Sequence, residues 1–81
     1  MSKNQHRAFN GHRNWNAWNV SLWINNQEDL YRMARYWIAI ARNRREAAEM
    51  ILEELRESNV TSTPDGAPYS KTTLQAAMRG M

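Results

Sequence analysis

The chain has 81 residues, a formal net charge of +3, 42% hydrophobic residues and no cysteine. That length holds one small domain, and the missing thiols exclude a disulfide scaffold, a thiolate zinc site and a cysteine nucleophile. No apolar run is long enough to span a bilayer, and the polar start Met1-Ser2-Lys3-Asn4-Gln5-His6-Arg7 lacks a signal-peptide core, so a soluble, intracellular protein is expected.

Residues 1–13 carry one bulky apolar side chain, Phe9, ahead of Asn10-Gly11, and read as a flexible basic arm. Residues 14–81 read as a single helical domain. Asn14 is a good N-cap, and Trp15, Trp18 and Leu22 share one face of a helix over about 15–25. Positions 18, 20, 22 and 24 would also suit a strand, but no partner strand appears elsewhere, so the helix is preferred. Asn25-Asn26-Gln27-Glu28-Asp29 marks the next start, an Asn cap followed by carboxylates in the first turn. Leu30, Met33, Ala34, Trp37, Ile38 and Ala41 then recur at helical spacing, giving a second helix over about 27–42.

Asn43-Arg44-Arg45-Glu46 has the spacing of a capping box, and Ala48, Ile51, Leu52 and Leu55 line a third helix over about 44–58. A single long helix also fits, because Leu30, Ala34, Trp37, Ala41, Arg44, Ala48, Ile51 and Leu55 alternate spacings of four and three. A break near Asn43 is favoured, since a hairpin lets one chain bury its own tryptophans, whereas the long helix would demand a dimer. Thr63-Pro64-Asp65-Gly66 is a turn, and Ser70 caps a short last helix with Leu74, Ala77 and Met78 on its apolar side, expected to dock weakly. The predicted fold is all-α: a small three-helix bundle with a short C-terminal helix. Its expected core is Trp18, Leu22, Leu30, Ala34, Trp37, Ile51 and Leu55, with either Trp15 or Trp23 left outside as an anchor.

Charge is unevenly placed. Lys3, Arg7, Arg13, Arg32, Arg35, Arg42, Arg44 and Arg45 face only Glu28 and Asp29 in the first 45 residues, a net +6. Glu46, Glu49, Glu53, Glu54 and Glu57 against Arg56 make the next segment −4. An acidic ladder beside a basic surface repels the phosphates that the arginines attract, which favours a partner of mixed charge over a pure polyanion.

Catalytic chemistry is not expected. His6 and His12 stand apart from any carboxylate that would complete a metal set, and no Gly-rich phosphate loop, nucleophile elbow or zinc-hydrolase motif occurs. The glutamates fall where pairing with Arg42, Arg45 and Arg56 on one helix explains them. No cofactor, no metal and no membrane partner is expected.

The segment Asn14-Trp15-x-x-Trp18-Asn19-Val20-x-Leu22-Trp23-Ile24-x-Asn26-x-Glu28-x-Leu30-Tyr31 resembles a family of short proteins from phages, plasmids and other mobile elements, and Thr63-Pro64-Asp65-Gly66-Ala67-Pro68-Tyr69 is similar to that family's T-P-D-G-x-x-Y loop. Ala17 departs from the Thr common at that place in the family. The resemblance implies a phage or mobile-element accessory protein in the cytoplasm of a bacterial host, of the kind that often inhibits a defence system such as CRISPR-Cas or restriction. The expected partner is a host protein, bound through Arg35, Tyr36, Arg42 and Arg45 with Glu49, Glu53 and Glu57 as a second face; so small a domain also allows a homodimer. The rival expectation is a small nucleic-acid-binding protein using Lys3, Arg7, Arg13, Arg32 and Arg44.

Overall fold

The computed structural model describes His12 and residues 14–81, which form four helices: α1 (Trp15–Asn26), α2 (Glu28–Ile40), α3 (Arg44–Glu57) and α4 (Lys71–Ala77). Each helix starts on a side chain that accepts a backbone N–H the helix itself cannot satisfy. Asn14 Oδ1 takes the Ala17 N–H at 2.9 Å, Asn43 Oδ1 that of Glu46 at 2.8 Å, and Ser70 Oγ that of Thr73 at 3.1 Å. The cap of α2 is not the expected asparagine. Gln27 Oε1 accepts from the Leu30 N–H at 2.8 Å, while Asn26 donates back to the Leu22 carbonyl within α1.

The chain does break before Asn43. Ala41 and Asn43 are both extended, and the Glu46 carboxylate accepts the Arg42 N–H at 2.8 Å, so the corner is tied from inside the following helix. The long-helix alternative is thereby excluded. At its other end α3 stops on Asn59, whose φ of 61° lets the Val60 N–H reach back to the Leu55 carbonyl at 2.8 Å. This is the αL termination that asparagine tolerates better than most side chains.

The four helices close into a ring in which α1 packs on α2, α2 on α3, α3 on α4 and α4 on α1. Of the seven expected core residues, Ala34, Ile51 and Leu55 are buried. Trp18, Leu30 and Trp37 are only half-buried, and Leu22 is 38% exposed. The error lies mostly in α1, which buries Ala17, Asn19, Val20 and Ile24 rather than the stripe through Trp15, Trp18 and Leu22. Two neighbours grip this helix from opposite flanks. Asn25 donates to the Ala77 carbonyl of α4 at 3.2 Å, and Asn19 and Trp23 bond the 61–69 loop. The arc between those grips is buried, whatever the side chains elsewhere on the helix are made of.

Weak docking of the last helix is also overturned. Leu74 and Met78 are fully buried and Ala77 nearly so, and α4 makes the most extensive of the four helix interfaces, with α1. Ala17, Ala47, Ala48, Ala76 and Ala77 are all buried, and such small residues let a short helix approach its neighbours closely enough for Leu74 and Met78 to fill the centre. Arg44 closes this end, its Nε donating to the Met78 carbonyl at 3.0 Å and its Nη2 to that of Met81.

Candidate functional site

The loop between α3 and α4 is organised by the expected turn. The Gly66 N–H donates to the Thr63 carbonyl at 2.9 Å, with Gly66 at a φ of 97° that side chains rarely adopt. Around it the Thr63 N–H meets the Ala67 carbonyl at 2.8 Å, the Tyr69 N–H meets the Thr61 carbonyl at 3.0 Å, and Ser62 and Pro68 form an isolated bridge. Narrow at its neck, the loop presents Thr63 and Asp65 to α1.

There the two separated motifs meet. Asp65 Oδ2 accepts from Asn19 Nδ2 and from Trp23 Nε1, each at 2.9 Å. Asn19 Oδ1 in turn accepts the Thr63 hydroxyl at 2.6 Å, and Thr63 Oγ1 accepts the Ala67 N–H at 3.1 Å. Asn19 and Thr63 are buried, so each needs those partners. The side-chain bonds from Asn19 first, then Trp23, hold the Asp65 carboxyl below its ordinary range, against a smaller opposing effect of burial. Trp23 is therefore tied into the fold, and Trp15, 39% exposed, is the tryptophan that faces out most.

Through Trp23 this clasp borders an apolar groove of about 430 Å³. Trp23 and Gln27 from α1 and the α1–α2 junction, Asp29 and Leu30 from the start of α2, Leu55 from the end of α3, and Val60, Ser62, Pro64 and Tyr69 from the loop line it. Tyr69 is 8% exposed, and burial pushes its phenol above the usual value. Composition and helical spacing do not reveal this groove, because its walls come from four separate segments. The pairing of Asn19 with Trp23 at i, i+4, ahead of a T-P-D-G turn, is the one local signal that marks its edge.

The residues expected to bind a partner lie on α2, the following corner and α3, all exposed. Arg35 sits over the Tyr31 ring at 6.0 Å, and Tyr36, 58% exposed, meets Trp37 edge-on at 5.1 Å between centroids. Ile40, which sequence reasoning passed over, is 57% exposed one turn beyond Tyr36. The glutamate ladder does not act as one face. Glu46 pairs with Arg42 at 3.6 Å and Glu49 crosses to Lys71 of α4 at 3.5 Å. Glu53 and Glu57 border a second groove of about 420 Å³, with Trp37, Met50 and Glu54, in which Trp37 Nε1 donates to Glu54 Oε1 at 2.7 Å. Among the described residues Arg45 and Arg56 form no ion pair, against the expectation that they serve the ladder.

Of the residues expected to bind nucleic acid, Lys3, Arg7 and Arg13 lie outside the described residues, as does His6. Arg32 pairs with Glu28 at 2.8 Å, and Arg44 is committed to the carbonyls that follow α4. His12 is half-buried, and burial, with Arg79 second, lowers its pKa. Among the described residues no three His, Cys, Asp or Glu side chains gather as metal ligands would, and no helix is long and apolar enough to cross a membrane.

No curated protein and no solved structure significantly matches the chain. A family model does, over residues 5–81, which takes in all four helices and the clasp between them: the chain belongs to DUF7249, a family of unknown function.

Proposed function

We propose that this chain acts by binding another protein through the outward surface of α2 and the corner that follows it. The carrying observation is the composition of that surface. Tyr31, Tyr36 and Ile40 are among the exposed large apolar side chains, and Arg32 and Arg35 stand between them. Aromatic residues and arginine dominate the energetics of protein interfaces, and a surface helix offering them in register is already shaped for its partner. Arg45, and Arg42 beside its partner Glu46, extend it with positive charge at the corner, while Glu53 and Glu57 supply the opposite sign along α3, an arrangement suited to a partner of mixed charge. The resemblance to mobile-element proteins gives the reading its setting: a phage-encoded accessory protein whose partner is a host protein of the bacterial cytoplasm, such as a component of CRISPR-Cas or restriction defence.

The test is an affinity pull-down from nuclease-treated lysate of an infected host, run in parallel with wild type and with Tyr36→Ala/Ile40→Ser. A defined partner kept by wild type and lost by a variant of unchanged circular dichroism supports the reading. Partners that all vanish with nuclease, together with a gel shift on purified DNA or RNA that weakens steeply with salt, would replace it with nucleic-acid binding.

A further inference from the structure

We infer that the groove beside the Asp65 clasp is a docking site for a peptide segment of a partner protein that presents one bulky apolar side chain next to an arginine or lysine. The groove shares no lining residue with the outward surface of α2, so the inference stands whether or not that surface binds a partner.

Three observations converge on this occupant. The walls are mainly apolar: Trp23, Leu30, Leu55, Val60, Pro64 and Tyr69 surround a volume of about 430 Å³, enough for a large side chain and the backbone that carries it. Water there gains little from these walls, and an anchor side chain removes their apolar surface from solvent. Second, the charge is one-sided. Asp29 is exposed, lines the groove and forms no ion pair among the described residues, and no lysine or arginine lines the groove. Asp65, bonded to the Trp23 indole, adds a second carboxylate beside the same wall. A cation flanking the anchor meets negative charge, whereas an acidic flank meets repulsion.

The third observation is Tyr69. Tyr69 is mostly buried and lines the groove, while its hydroxyl keeps an accessible oxygen and makes no hydrogen bond to protein among the described residues. The ring is held by the core and the hydroxyl is free to donate to a partner that enters the groove. A backbone carbonyl of the docked segment supplies the acceptor, and this fixes the segment's register as the apolar pocket fixes its anchor.

The test uses the full chain and a displayed library of random linear peptides. Selection on wild type, with counter-selection on Val60→Arg, is expected to enrich sequences with a Leu, Ile, Met or Phe beside an Arg or Lys. Val60 is exposed at the groove, so Val60→Arg blocks it with bulk and like charge without touching the core. A synthetic peptide of the enriched pattern should bind wild type with a change in tryptophan fluorescence. It should bind Val60→Arg and Asp29→Asn about tenfold more weakly or worse, and Tyr69→Phe several-fold more weakly, with circular dichroism unchanged. Enrichment of acidic peptides, or of none that Val60→Arg rejects, overturns the proposal. So does binding that Asp29→Asn leaves intact. If sedimentation shows a wild-type dimer that Val60→Arg makes monomeric, the occupant is a second copy of this chain, and the proposed partner is wrong.

Discussion

The Trp23 indole donates to the Asp65 carboxylate at 2.9 Å across 42 residues of sequence, and the same oxygen takes the amide of Asn19 one turn away. One carboxylate thus orients α1 and closes the loop that joins α3 to α4. Its titration should be visible in stability. Because the folded state depresses the Asp65 pKa, the unfolded chain takes up the proton more readily. The stabilisation is present in full above the unfolded value near 4 and is lost as pH falls through the lower folded value. Thermal melts of wild type and Asp65→Asn should therefore differ most at neutral pH and converge as pH falls below the unfolded value. A constant difference from neutral pH to below that value would show that the charge is not what the clasp uses.

Asn19 is the buried polar hub of the same network, and its removal takes the acceptor from the Thr63 hydroxyl and one of two donors from Asp65. Asn19→Ala should cost about 1–3 kcal/mol in urea unfolding. A double-mutant cycle with Thr63→Val should show a coupling of about 0.5–3 kcal/mol. Additive effects would mean that the 2.6 Å bond between the two side chains contributes nothing beyond their separate packing.

The face of α1 can be tested by truncation. Ile24 is fully buried and Leu22 is 38% exposed. Ile24→Ala should cost about 2–5 kcal/mol, and Leu22→Ala clearly less, under about 1 kcal/mol. The reverse order in chemical denaturation would restore the face that periodicity favours.

Leu74 tests the weight carried by the seven-residue α4. If this helix completes the core, Leu74→Ala destabilises the whole domain by about 2–5 kcal/mol, and a single cooperative transition persists. Early loss of α4 signals in hydrogen exchange or NMR, with the remaining helices intact, would mean that α4 is an appendage.

At Asn59 the backbone alone decides the outcome. With φ at 61°, Asn59→Gly should be neutral or slightly stabilising, whereas Asn59→Val should cost about 1–2 kcal/mol. Equal melting temperatures for the two variants would contradict the αL ending of α3.

Local chemistry made much of this protein legible from its sequence. Asn14, Asn43 and Ser70 cap helices wherever they precede a helical pattern, because the unsatisfied N–H groups they serve lie within three residues. Thr63-Pro64-Asp65-Gly66 turns for reasons contained in those four residues, and α3, which buries Ala48, Ile51 and Leu55 as its periodicity requires, behaves as an amphipathic helix should. Helix α1 was different: its apolar side chains are spread around the helix among asparagines, and the stripe that periodicity favours is not the one the fold buries. The ring of helices chose the buried face, since α4 on one flank and the Thr63–Asp65 loop on the other bury whatever lies between, including the polar Asn19. The groove at Tyr69 belongs to the same class of fact, because Trp23, Leu30, Leu55 and Tyr69 become neighbours only when four segments close together. Caps and turns follow from bonds a few residues long, whereas the buried face of a helix with apolar side chains on several sides and the place of a groove follow from contacts tens of residues apart, which only the folded chain brings into being.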